Sequence, residues 1–199
     1  TLAEHDVGFV AISGACNVTG ELLPYEDVIG IAHRYGAMVL IDAAQIVGWQ
    51  KLDFPRLGAD MVAFGGHKGL QAPWGIGGLY LSDRAQMECT SATCELPVAG
   101  KSDANQLPRP GYCDVGSVDQ FALAGLHAAI GMLRQQNMEA HLANAHRQIQ
   151  RIRETLERVD RLRIFGPAES NQGMPSLALA VSGFSSSEVA SRFRRHSLI

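Results

Sequence analysis

The chain has 199 residues, a formal net charge of -3 at pH 7 and 46% hydrophobic residues. This length can bury one sizeable core, or one domain together with part of another. The near-neutral charge gives no basic surface of the kind that nucleic acid or an anionic membrane attracts, and no segment has the apolar length of a membrane span. We therefore expect neither a nucleic-acid partner nor a membrane partner.

The cysteines and the N-terminus indicate an ordinary reducing compartment. The four cysteines are scattered along the chain: Cys16, Cys89, Cys94 and Cys113. Cys89 and Cys94 lie close together, but no second cysteine or histidine pair completes a zinc-like spacing. The opening "TLAEHDVGFVAIS" has neither the basic start nor the apolar stretch of a secretory signal. These features predict free thiols, no metal site and a cytoplasmic protein.

The first part of the chain alternates between strand and helix patterns. Short apolar runs rich in β-formers predict strands at 7–13, 37–42, 60–65 and 76–82. The segment 24–36 begins with a proline, carries apolar residues at helical spacing and stops at a glycine, and 54–59 predicts a short helical turn. Apolar strands separated by helices predict an α/β fold, with a mostly parallel sheet covered on both faces in three αβα layers.

Residues 83–116 break this alternation. They contain "ELPVAGKSDANQLPRPG", which is typical of a long loop. Helical patterns resume at 119–135 and at 137–159. Two short strand candidates and a helix opened by capping serines follow, at 162–166, 176–182 and from 185 onward. We place a domain boundary near residue 136, which gives domains at 1–136 and 137–199.

The helix predicted over 137–159 is amphipathic. Its apolar stripe includes Ile149, Ile152 and Leu156. Its arginines predict a solvated side rather than a nucleic-acid patch; they are Arg147, Arg151, Arg153 and Arg158.

Polar residues follow three of the predicted strands. Asn17 comes after the first strand. Asp42 ends the second, with Gln45 three residues further on. His67 and Lys68 follow the third. Ligands of open α/β sheets bind outside the carboxyl ends of the strands, so we expect these side chains to meet at one edge of the sheet.

An amine and a carboxylate at neighbouring strand ends suit Schiff-base chemistry on a pyridine ring. Desolvation would favour the neutral, nucleophilic amine of Lys68. A carboxylate such as Asp42 keeps a pyridinium nitrogen protonated, which is the usual partnership for pyridoxal phosphate. Glycines 65, 66 and 69 would allow a bulky ligand to approach the backbone. Taken singly, Lys68 could be a solvated loop lysine and Asp42 the cap of the turn that follows it.

Four segments, in this order and spacing, resemble the class V aminotransferase family, which includes cysteine desulfurases and selenocysteine lyases. They are "SGACNVTG", "LIDAAQIVG", "ADMVAFGGHKGLQAPWGIGGLY" and "GYCDVGSVDQFALAGLHAAI". The resemblance runs from about residue 7 onward. It implies part of the large domain of the pyridoxal-phosphate-dependent transferase fold, like that of aspartate aminotransferase, followed by the start of a small α+β C-terminal domain.

The resemblance implies a role for each polar residue at the strand ends. Lys68 matches the Schiff-base lysine, and His67 matches a ligand of the cofactor phosphate. Asp42 matches the partner of the pyridinium nitrogen, and Gln45 the residue that hydrogen-bonds the ring hydroxyl. Asn17 matches an asparagine near that hydroxyl and the substrate carboxylate. The implied cofactor is pyridoxal 5'-phosphate.

Two further positions bear on the phosphate. Ser117, in "DVGSVD", stands where a threonine reaches the phosphate of the neighbouring protomer, so a homodimer or higher homo-oligomer with shared sites is implied. Gly65 stands where many members have a serine that bonds the phosphate, so this chain lacks that donor. Family members are considerably longer, and none of the four cysteines matches the sulfur-accepting cysteine of the desulfurases.

The resemblance implies an enzyme that acts on a small amino-acid substrate. Elimination of the cysteine desulfurase or selenocysteine lyase type is the first expectation, with transamination and kynurenine-type cleavage left open. A rival hypothesis is a truncated, catalytically inactive oligomeric or binding module that keeps the fold. A nicotinamide enzyme is disfavoured because no glycine fingerprint follows a strand and opens a helix with an acidic residue downstream.

Overall fold

The computed structural model describes residues 4–92, 119–169 and 172–196. The elements of these ranges are β1 (Phe9–Ser13), α1 (Tyr25–Arg34), β2 (Met38–Asp42), α2 (Phe54–Leu57), β3 (Met61–Gly65), β4 (Gly77–Leu81), α3 (Asp83–Ala92), α4 (Gln120–Gln135), α5 (Met138–Leu156), β5 (Leu162–Phe165), β6 (Ala178–Val181) and α6 (Ser186–Arg195). The strands and helices predicted from sequence are present with slightly shorter bounds. The segment 83–116 differs, because it opens with helix α3; the loop-like stretch 95–111 lies outside the described residues.

A four-stranded sheet in the order β1-β2-β3-β4 organises the first part of the chain. β1 and β3 both run parallel to β2, and β4 runs antiparallel to β3. Three branched apolar side chains on the two inner strands are fully buried: Val39, Ile41 and Val62. The expected mostly parallel sheet is therefore confirmed. Since β1, β2 and β3 are parallel neighbours, their carboxyl ends lie at one edge of the sheet.

A buried carboxylate links several elements at the opposite edge of the sheet, where the parallel strands begin. Asp60 lies directly before β3, and its Oδ2 accepts the Val39 backbone N–H at 2.8 Å. His33 Nε2 lies 2.8 Å from the same oxygen, and Arg84 Nη1 lies 3.7 Å from Oδ1. Arg84 also donates to the Gly36 carbonyl at 2.6 Å. A buried charge is tolerated only when it is paired and hydrogen-bonded, so this cluster joins α1, β2, β3 and α3 at one point.

The chain divides into two compact units. The first comprises Thr1–Gly14 and Pro24–Asn137, and the second Ala15–Leu23 and Met138–Ile199. The sequence pattern did not indicate that the short segment 15–23 belongs with the second unit. The domain boundary near residue 136 stays a prediction.

The second unit contains α5, α6 and the antiparallel pair β5-β6. Arg153 on α5 is only 8% exposed, and its Nη2 donates to the Pro167 carbonyl at 2.7 Å. The prediction that Arg153 belongs to the solvated side of this helix is wrong. Ile152, predicted for the apolar stripe, is instead 49% exposed. Position 153 therefore replaces position 152 on the packed face of α5, because the Pro167 carbonyl binds the guanidinium, whereas Ile149 and Leu156 are partly buried as the pattern predicted.

Candidate functional site

Asp42 closes β2 at the carboxyl edge of the sheet. Its backbone is held from both sides, since the Gly14 N–H donates to the Asp42 carbonyl at 2.8 Å and the next N–H, of Ala43, donates to Ala63 at 2.8 Å. Its carboxylate is exposed, and Oδ1 accepts the Ala44 N–H at 3.0 Å. The contact expected if Asp42 caps the turn that follows it is therefore present. A carboxylate has about four acceptor sites, so this bond leaves capacity for a ligand.

The turn after β2 carries Gln45, which is partly buried. Two consecutive N–H groups, of Ile46 and Val47, both donate to the Ala43 carbonyl at 3.0 Å and close the turn. Ile46 is fully buried and lies against Gly14, where an added Cβ would come within 2.6 Å of its Cδ1. The turn is therefore fixed on the sheet edge through its apolar side.

The turn after β3 carries Lys68, whose side chain is exposed. The backbone of this turn is closed by three hydrogen bonds: Gly66 N–H to the Ile76 carbonyl at 2.8 Å, Ala72 N–H to the Gly66 carbonyl at 2.9 Å, and Gln71 N–H to the Lys68 carbonyl at 2.9 Å. The described residues do not desolvate Lys68 as the sequence argument expected. They hold its backbone firmly and leave the amine accessible.

The two turns lie directly on one another through glycine. A Cβ at Gly69 would overlap the Val47 carbonyl and lie 2.8 Å from Trp49 Cδ1. A Cβ at Gly48, whose φ is +86°, would overlap the main chain of Gly69. The turn that bears Lys68 therefore packs backbone to backbone on the turn that follows Asp42.

These contacts correct one expectation from sequence. Gly66 and Gly69 were expected to admit a bulky ligand, but a Cβ at Gly66 would come within 3.0 Å of the Ile76 carbonyl, and Gly69 meets the neighbouring turn. Both glycines serve close approach within the chain. Gly65 differs, because a Cβ there would meet only the His67 ring, at 3.4 Å from Cε1 and 3.5 Å from Nδ1. Those are ordinary van der Waals distances, so a Cβ at Gly65 would fit in contact with that ring.

His67 stacks on Trp74, with ring centroids 4.2 Å apart and the ring planes at 15°. The indole is 80% exposed. Sequence reasoning missed Trp74, although the letters "APWG" place a large aromatic in a turn shortly after the lysine. A large aromatic at a turn position, where a polar residue would be expected, was the sequence signal that could have indicated Trp74.

Helix α4 packs against the turn that carries Lys68. Its buried face forms one apolar cluster with that turn, made of Leu70, Ala72, Leu126, Ala129 and Leu133. Gly125 of α4 lies against Pro73, because a Cβ at Gly125 would overlap the proline ring. Asp119 caps the helix by accepting the N–H groups of Phe121 and Ala122, each at 3.0 Å. The turn that carries Lys68 therefore rests on a capped helix.

Two further candidates remain, Asn17 and Ser117. Asn17 is exposed and belongs to the second compact unit, and Ser117 lies outside the described residues. Beside Asn17, the pKa of the Cys16 thiol is lowered from its ordinary value, chiefly by a hydrogen bond with the Thr19 side chain. In the described ranges, no group of three or more His, Cys, Asp or Glu side chains is placed to hold a metal ion. Nor does any helix of those ranges have the length and apolarity to cross a membrane.

The family model for aminotransferase class-V proteins matches residues 1–198. The chain belongs to the class V aminotransferase family. It is 33% identical over 180 residues to the probable cysteine desulfurase 2 of Mycobacterium leprae (strain TN), covering 86% of this chain and 42% of that protein. It is 29% identical to the cysteine desulfurase of Synechococcus elongatus, covering 95% of this chain and 30% of that protein.

A solved structure confirms the fold of this class V chain. The apo structure of a cysteine desulfurase from Thermococcus onnurineus NA1 superposes with a TM-score of 0.79 at 26% sequence identity, covering 96% of this chain and 48% of that one. The αβα fold that the resemblance implied is therefore present. The chain spans less than half the length of the curated relatives it matches.

Proposed function

We propose that the protein to which this chain belongs binds pyridoxal phosphate and acts on an amino acid, with cysteine desulfurase-type elimination as the first candidate. The support is the family, the desulfurase names of its relatives, and one structural observation. The turn that carries Lys68 packs through Gly48 and Gly69 on the turn that follows Asp42. This contact brings a lysine turn and a carboxylate turn together at the carboxyl edge of a parallel sheet, where ligands of such folds bind.

The residues present fit the cofactor by the chemistry of their donors. The family resemblance gives Asp42 to the pyridine nitrogen and Gln45 to the ring hydroxyl, and the sheet edge carries both. The phosphate would lie beside His67 and Gly65, at the Cε1–Nδ1 edge of the imidazole. The family resemblance also assigns Asn17 to the ring hydroxyl and Ser117 to the phosphate of a neighbouring protomer.

The bound cofactor supplies an electron sink for the bond that breaks at the substrate α-carbon. Lys68 would hold the cofactor through its amine, and the same amine, once released, would be the base placed to move a proton. Its exposure leaves the amine accessible for both roles. The charge of Asp42 would favour the protonated form of the ring nitrogen.

The test is covalent trapping on the full-length protein. Pyridoxal phosphate is added, the visible absorption band is recorded, and borohydride then reduces the carbon–nitrogen bond to a stable amine. We expect Lys68→Ala to abolish both the band and the incorporated mass. The matched control is Lys51→Ala, since Lys51 is also an exposed lysine of the first unit. Unchanged trapping in Lys68→Ala would refute the proposal.

A second candidate is an inactive oligomeric or binding module that keeps the fold. It is favoured by one observation, the glycine at position 65 where a serine donor to the phosphate is expected. This candidate predicts no visible band and no trapping in the wild-type protein at saturating cofactor. Under either candidate we propose a cytoplasmic protein that forms a homodimer or higher homo-oligomer. The mass in solution would check the oligomeric state.

A further inference from the structure

Trp74 is an exposed aromatic next to the lysine turn, and none of the roles above uses it. Its indole is 80% exposed. Its one described ring contact is the stack on His67, at 4.2 Å and 15°. Near-parallel aromatic pairs at this separation attract each other beyond their buried area.

The backbone around Trp74 holds the stack in place. Pro73, which precedes it, has a fixed φ and lies against Gly125 of α4. Gly75, which follows it, adopts φ +84° and so turns the chain back toward β4. The next residue, Ile76, accepts the Gly66 N–H at 2.8 Å. The indole is therefore presented by a turn anchored at both ends.

Stacking determines which part of an imidazole is available. Both ring nitrogens of a histidine lie in the ring plane, so covering one face leaves the nitrogen-bearing edges open for hydrogen bonds. In the stacked orientation, the Cε1–Nδ1 edge of His67 lies next to Gly65.

From this geometry we infer that Trp74 is a positioning residue, which holds the His67 imidazole so that its edge faces an anionic phosphate group at Gly65. The inference rests on the proposed function, because the phosphate is that of the cofactor. Trp74 acts through His67 and does not touch the reacting atoms. It compensates in part for the serine donor that the chain lacks at position 65, because a pre-oriented donor loses less freedom on binding.

The test separates the phosphate from the ring of the cofactor. Pyridoxal phosphate and pyridoxal, which lacks the phosphate, are each titrated into the full-length wild-type protein, Trp74→Leu and Trp74→Phe. An aromatic pair of this kind predicts that Trp74→Leu weakens pyridoxal phosphate binding by about three- to tenfold. Pyridoxal binding stays unchanged, and Trp74→Phe retains most of the affinity because it keeps an aromatic face. In a His67→Ala background, Trp74→Leu has no further effect.

A second readout needs no cofactor. In the apo-protein, the ring current of the indole shifts the imidazole proton resonance of His67 in the wild-type NMR spectrum, and Trp74→Leu removes that shift. An equal loss of pyridoxal and pyridoxal phosphate affinity, no loss of either, or an unchanged His67 resonance would overturn the inference. If the wild-type protein traps cofactor on Lys68 and Trp74→Leu behaves like wild type, only the inference fails. If the wild-type protein traps none, the proposed function fails with it.

Discussion

The charged side chains at the two ends of β3 differ in burial. Before the strand, the side chain of Asp60 is only 4% exposed and is surrounded by His33, Arg84 and a backbone N–H. After the strand, Lys68 is exposed, as is Asp42 at the end of the neighbouring β2. The first end uses its charge to join structural elements. The second holds its backbone rigidly and leaves its charged side chains accessible, which is how a binding site differs from a structural ion pair.

The largest effect on stability is expected at the amino end. Asp60→Ala leaves the buried Val39 N–H without its acceptor and removes the carboxylate that His33 and Arg84 contact, for a combined cost of about 3–4 kcal/mol. Urea titration would measure the free energy of unfolding. Asp27→Ala, an exposed carboxylate on α1, is the control and is expected to change it by about 0.5 kcal/mol. Equal losses in the two variants would show that the Asp60 cluster does not stabilise the fold.

The next effect tests the contact between the two turns. Gly48→Ala introduces a side chain at φ +86° and an overlap with Gly69, for a combined cost of about 2–4 kcal/mol. Gly58→Ala is the matched control, because Gly58 has φ +78° but open space around its Cα, so only the conformational cost of about 1 kcal/mol remains. Gly48→Ala should also reduce trapping at Lys68, whereas Gly58→Ala should not. Similar stability and trapping in both would contradict the account of the turn contact.

The smallest expected effect is a gain at the carboxyl end. Gly65→Ser adds a hydroxyl beside His67, where a Cβ fits in van der Waals contact, and one hydrogen bond to a charged group predicts tighter pyridoxal phosphate binding by about tenfold. Gly65→Ala fills the same space without a donor and serves as control. A titration monitored by absorbance would give both affinities. If serine and alanine behave alike, the phosphate does not lie beside Gly65.

Much of the sheet could be predicted because its signals are local. Continuous apolar runs at β2 and β3 and the glycine and proline that bound α1 appear in the sequence itself. The parallel order then places the residues after Asp42 and after Gly65 at one edge without further information. The site positions in the first unit follow from that topology.

Other features depend on contacts that the sequence pattern does not encode. The Gly48–Gly69 contact joins two turns far apart in the chain, so the glycines of the lysine turn could be explained equally well by a ligand. The burial of Arg153 rather than Ile152 depends on a carbonyl acceptor at Pro167. The stack of Trp74 on His67 requires the turn geometry between them.

The central claim is that Lys68 is the residue that carries the cofactor. Peptide mapping by mass spectrometry, after borohydride reduction of the full-length protein with pyridoxal phosphate, tests it most directly. The account predicts one reduced adduct per chain, on the peptide that contains Lys68. An adduct on another lysine, such as Lys51 or Lys101, or one spread over several lysines at similar levels, would contradict it.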